Sequence, residues 1–161
     1  MKRIAIALLA LLALPAFAHK ASDAYLTLER DGAALAGRFD IALRDLDNAL
    51  GLDANGDGDI TWGEVRTRET DIAAYALPRL RVSSGGERCG LAATRLLVDA
   101  HTDGAYAVLS LAGQCPQPGP TLAIDYRLFE GLDPQHRGLL NYVENGASRS
   151  VVFSADAPAQ V

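Results

Sequence analysis

The sequence predicts an α+β fold, an antiparallel β-sandwich into which one helix–loop–helix is inserted. Three observations predict it. Apolar residues alternate with period two along most of the chain, and turn dipeptides such as Asp31-Gly32, Asp103-Gly104 and Asn145-Gly146 punctuate the alternating runs. One stretch, 43–77, switches to helical spacing around a polar loop. The 161 residues leave room for a single domain.

Residues 1–18 read as a signal peptide. Lys2 and Arg3 precede an unbroken apolar run from Ile4 to Leu14, and Ala16-Phe17-Ala18 supplies the small-x-small cleavage pattern. That run is too short to cross a bilayer core, which takes roughly 20 residues. Cleavage after Ala18 is expected, leaving a periplasmic or secreted chain that begins at His19. The domain proper is expected over 19–154, with a tail or linker at 155–161.

The strands follow in order. Leu26 and Leu28 alternate with Thr27 and Glu29 up to the Asp31-Gly32 turn. Leu35, Phe39, Ile41 and Leu43 line one face of the next segment, with Arg38 and Asp40 opposite. Leu43, Leu46 and Leu50 then fall on one helical face. Thr61 to Ala76 reads as a longer helix, with Val65, Ile72 and Ala76 inward, Arg66, Arg68 and Glu69 in water, and Pro78 ending it.

Between these helices, Asp53 to Glu64 has the pattern of an EF-hand calcium loop. Calcium takes six to eight oxygen ligands, and twelve residues can wrap them around one ion. Asp53, Asn55 and Asp57 stand at loop positions 1, 3 and 5, and Gly58 at position 6 permits the sharp turn. Asp59 at position 7 would coordinate through its carbonyl, Thr61 at position 9 through a water, and Glu64 at position 12 through both carboxylate oxygens. Ile60 at position 8 is the apolar residue of the loop's short β-contact. Such crowded carboxylates repel one another without a cation. A paired second loop is not found: Asp133 to Glu144 would set Arg137 against the ion, and the run from Asp99 has Ser110 in place of the bidentate glutamate.

After Leu80 and Val82, ended by Ser83-Ser84-Gly85-Gly86, come two cysteines. Arg95–Asp99 and Ala105–Leu111 read as a hairpin around His101-Thr102-Asp103-Gly104, which brings Cys89 and Cys115 together at its open end. In an oxidising compartment such a pair forms a structural disulfide, stabilising the fold by roughly 3–4 kcal/mol in the chain-entropy model. Leu122, Ile124, Tyr126 and Leu128 alternate with Asp125 and Arg127. Leu139–Val143 and Ser150–Phe153 flank Asn145-Gly146 as a last hairpin.

Charge and composition narrow the function. Lys and Arg number 15 against 20 Asp and Glu, for a net charge of −5, and no basic stripe exists to neutralise a nucleic acid. HExxH, GxSxG and phosphate-cradling loops are absent from the sequence, so no catalytic residue and no small-molecule substrate is nominated and the chain is not expected to be an enzyme. A competing metal reading uses the mature N-terminal amine and imidazole of His19, completed by His101 or His136. Such nitrogens suit Cu2+ or Ni2+.

Ala18-His19-Lys20-Ala21-Ser22-Asp23-Ala24-Tyr25-Leu26, Phe39 to Asp47 running into the calcium loop, and Leu132 to Gly138 resemble the extracytoplasmic N-terminal region of bacterial HupE/UreJ-like membrane proteins. The likeness covers most of 19–154. It implies hydrogenase or urease maturation and nickel permeation through a polytopic membrane part that follows this region. That part is expected to be missing here, so transport is not carried over, and the chain is either a stand-alone version or a piece of a longer protein. The leading expectation is a calcium-binding accessory or interaction module holding one Ca2+, with a membrane protein as its partner.

Overall fold

The computed structural model describes residues 23–157 and 159–160, so the expected signal peptide and His19 lie outside the described residues. The chain is a mixed α+β protein dominated by sheet. Its elements are β1 (Asp23–Asp31), β2 (Ala34–Ala42), α1 (Leu43–Leu50), α2 (Trp62–Thr67), α3 (Glu69–Ala76), a 3-10 turn (Leu77–Arg79), β3 (Leu80–Ser84), β4 (Glu87–Arg88), β5 (Gly90–His101), β6 (Gly104–Gln114), β7 (Leu122–Tyr126), β8 (Arg137–Glu144), β9 (Ala147–Phe153) and β10 (Ala159–Gln160).

Two sheets result, ordered β5-β6-β2-β1-β8-β9 and β10-β7-β3-β4. Three hairpins form where turn dipeptides predicted them: β1–β2, β5–β6 and β8–β9. In the last, Asn145 and Gly146 have φ of 50° and 76°, the left-handed pair that a two-residue turn between twisted strands requires. One pairing departs from the expected antiparallel arrangement, because β1 and β8 run parallel from Asp23↔Arg137 to Arg30↔Glu144. Local periodicity sets which face of a strand is apolar, but carries no information about the direction of a distant neighbour. Within the stretch expected as a tail, Ala159 and Gln160 pair with Asp125 and Ile124 of β7.

Both sheets and all three helices contribute to one hydrophobic core, including Leu26, Phe39, Leu46, Ile72, Val82, Leu109 and Ile124. Phe39 of the larger sheet meets Tyr126 of the smaller edge-on, with ring centroids 6.1 Å apart, and Tyr126 stacks on Phe153 at 5.2 Å. Each such side chain taken from water contributes about 1.5–3 kcal/mol. Gly138 makes room for the Tyr126 ring: a Cβ there would lie 2.7 Å from Tyr126 Cζ.

The predicted helix from Thr61 to Ala76 is broken in two at Arg68, whose φ and ψ of −104° and 13° leave the helical basin. Val65, Ile72 and Ala76 are fully buried as expected. Arg68, expected in water, is half-buried, because its guanidinium turns back onto the C-terminus of α1. Asp40, expected on a wet face, is also buried, covered by Arg38 and His101.

Cys89 and Cys115 form a disulfide. Gly90 pairs with Gln114 across the β5–β6 hairpin, so the bridge occupies the next position of the same register. The Cys89 N–H donates to Val82 of the smaller sheet, and the Cys115 N–H donates to Ala33 between β1 and β2. The bridge therefore fastens one sheet to the other. Among the described residues, no helix is long and apolar enough to cross a membrane.

Candidate metal site in the 53–64 loop

The loop hangs between α1 and α2, and each end is fixed by a specific bond. Gly51, with φ of 66°, ends α1 in the left-handed conformation and returns its N–H to the Asp47 carbonyl. Asp47 also accepts the Asp53 N–H through Oδ1 at 2.9 Å, so the last turn of the helix sets the first residue of the loop. Arg68 donates to the Leu50 and Gly51 carbonyls, each at 2.9 Å, and pairs with Asp71 at 2.6 Å. Leu52, just ahead of the loop, is fully buried.

Within the loop, the acceptors gather the backbone amides. Asp53 accepts from the Gly56 and Gly58 N–H groups at 2.7 and 2.9 Å. Asn55 Oδ1 accepts from Asp57, and Asp57 Oδ1 from Asp59, both at 2.9 Å. Asn55 also donates through its amide nitrogen to Asp57 Oδ2 at 2.8 Å. Gly56 and Gly58 have φ of 74° and 88°, a region that side chains with a Cβ rarely adopt.

Glu64 closes the loop. Its carboxylate accepts from the Ala54 N–H on one oxygen, and from the Thr61 N–H and hydroxyl on the other. Thr61 in turn accepts from the Glu64 N–H, completing a capping box at the start of α2. The Thr61 N–H and hydroxyl, followed by the Ala54 N–H, hold the Glu64 carboxyl below the usual carboxylate range. One end of the loop is thereby tied to the other through a single side chain.

Every acceptor atom on the loop side chains is an oxygen, since the Asn55 amide and Trp62 indole nitrogens only donate, and such a set suits a hard cation rather than copper or nickel. Asp53, Asn55, Asp57, Asp59, Thr61 and Glu64 all lie on this one loop. Among the described residues, no group of three or more His, Cys, Asp or Glu side chains is drawn together closely enough to hold a metal. In this conformation the Asp53, Asp57 and Glu64 carboxylates accept from backbone amides instead. Sequence reading set Asp47 on a solvated helix face and Arg68 in water, and tied neither to the loop. An acidic residue in the last turn before the loop and an arginine one turn beyond its closing glutamate are the signals that mark them.

The histidines occupy other surroundings. His101 stacks on Tyr25 with centroids 4.9 Å apart, lies 4.2 Å from the Tyr106 ring, and its Nε2 is 2.9 Å from Asp40 Oδ2. His136 is buried, with Nε2 2.6 Å from the Tyr126 hydroxyl. Compared with known proteins, the chain matches no family model and none of the curated proteins.

Proposed function

We propose that this chain is a calcium-binding module, with one Ca2+ held by Asp53, Asn55, Asp57, the Asp59 carbonyl and Glu64, and with Thr61 contacting the ion through a water. The observation that carries this reading is the position of Glu64, reaching back across the loop to the Ala54 N–H while capping the helix that follows. A carboxylate so placed spans the loop, with one oxygen at Ala54 near its entrance and the other at Thr61 near its exit, as a bidentate closing ligand needs. The all-oxygen donor set and the glycines at positions 4 and 6 support the same reading.

We read the two sheets as a sandwich and 43–77 as an EF-hand inserted between its strands. The disulfide, together with the signal peptide expected at 1–18, supports a periplasmic or secreted location. Extracellular modules of this kind bind calcium in the range of roughly 10⁻⁴–10⁻³ M, which suits a permanently loaded clip. The accessory role beside a membrane protein rests on the resemblance to the HupE/UreJ-like region.

The test is a calcium titration of chelator-stripped protein by calorimetry, followed in parallel by emission from Trp62, the sole tryptophan, at loop position 10. Saturable binding at one site, abolished in Glu64→Gln, is expected. Absence of binding at millimolar calcium overturns the proposal. Copper or nickel binding that then depends on a free amine at His19 would shift the function to the nitrogen ligands.

A further inference from the structure

A cleft of about 340 Å³ opens beside the turn that joins β7 to β8, and it shares no residue with the 53–64 loop. Its walls are mostly apolar, with Leu128, Phe129, Pro134 and Ala155 among them. Of its polar lining residues, Tyr126 and His136 are the buried ones, only 5% and 6% exposed, while Arg127, Glu130, Asp133 and Ser154 sit nearer the solvent. Their hydrogen bond, 2.6 Å between Tyr126 Oη and His136 Nε2, is set among aromatic rings: Phe129 meets the imidazole edge-on at 4.7 Å.

Burial pushes the His136 imidazole down to about 4 and the Tyr126 phenol well up, so both groups are neutral near pH 7. With the imidazole proton on Nδ1, the phenol donates to Nε2, and its oxygen keeps acceptor capacity for one more donor. Charge at the rim is already committed. Arg127 pairs with Asp125 at 2.8 Å and with Glu130 at 2.6 Å, so its guanidinium is not held ready for an anion. The volume falls at the lower end of the range for small-molecule sites, about 300–1,000 Å³.

We propose that this cleft binds a small uncharged molecule with an apolar ring and one hydroxyl or N–H group. The ring rests against Phe129 and Leu128, and the hydroxyl or N–H donates to the Tyr126 oxygen. A phenol or an indole has this chemistry, while an anion would meet carboxylates at the rim.

The experiment titrates the disulfide-bonded protein with 4-methylphenol and with toluene, which has the same ring and no donor, by calorimetry and by ligand-observed NMR. One saturable site for 4-methylphenol is expected, with toluene about three- to tenfold weaker for want of the hydrogen bond. Tyr126→Phe should abolish that preference. Ala155→Trp, at an exposed rim position, should weaken both probes at least about tenfold by filling the cleft. Should Tyr126→Phe fail to fold, Ala155→Trp decides the matter. The proposal falls if 4-methylphenol shows no saturable binding at millimolar concentration, if its preference survives Tyr126→Phe, or if Ala155→Trp binds it unchanged.

Discussion

The guanidinium of Arg68 donates to the carbonyl of Leu50 across 18 residues of chain, at 2.9 Å. Through this bond the C-terminus of α1 is capped by the residue at which the following helix breaks. Arg68→Ala should lower stability by about 1–3 kcal/mol, because the carbonyls of Leu50 and Gly51 lose a charged donor. Arg68→Lys should recover only part of this, since an ammonium cannot reproduce the fork. Urea denaturation of the three proteins at pH 7 checks the order.

Asp47 and Asp53 are linked in the same manner, and here the expected consequence reaches the loop. Asp47→Ala leaves every proposed calcium ligand in place but removes the acceptor that positions the Asp53 N–H. Calcium affinity is expected to fall about tenfold or less, whereas Glu64→Gln should abolish binding. Calorimetry on both variants separates a positioning residue from a ligand.

Gly138→Ala should destabilise the protein by about 1–3 kcal/mol. The new Cβ would lie 2.7–3.0 Å from three atoms of the Tyr126 ring, which is itself packed against Phe153. Thermal unfolding measures the loss, and a shift in the near-ultraviolet tyrosine signal would locate it at that ring.

Acid should weaken the fold through His136. Burial pushes its pKa down to about 4 from 6.5, so between those values the unfolded chain binds a proton that the folded protein does not. This contribution is fully present above about pH 6.5, falls as pH drops through the window, and levels off below about pH 4. It amounts to about 2–3 kcal/mol lost between pH 7.5 and 4.5. The stability of the native protein relative to His136→Gln should shrink by that amount over the same interval, as read from urea midpoints.

Reduction of the Cys89–Cys115 bridge should cost roughly 3–4 kcal/mol by releasing a cross-link that spans 26 residues. The Cys89→Ser, Cys115→Ser double variant should match the reduced protein. Unfolding with and without a thiol reductant tests it.

What could be read in advance divides by distance along the chain. The tight turn at 53–64, with its positive-φ glycines and its Glu64 cap, was legible because each constrained position lies within twelve residues of the others, and its amide contacts are local. The β5–β6 and β8–β9 hairpins were legible for the same reason. Arg68 was assigned to solvent because helical periodicity sees only its own helix, while the carbonyls it caps lie 17 and 18 residues back. Asp40 was placed on a wet face by alternation, and alternation was blind to His101, 61 residues away, which covers it with Arg38. The Tyr126–His136 pair escaped notice because a tyrosine in an alternating strand reads as core and a lone histidine in a turn reads as surface.

The parallel pairing of β1 with β8 has a consequence for how the molecule comes into being. Asp23 and Arg137, joined by two hydrogen bonds at that seam, are 114 residues apart. A chain that grows or threads from its N-terminus can zip β1 to β2 at once, but it must hold the other edge of β1 open until residues 137–144 arrive. Closure of the larger sheet is thus a late step with a high entropic threshold, of the kind that slows folding. A product stopped short of Arg137 would carry β1 as a raw border, with its backbone amides and carbonyls ready for whatever strand came first.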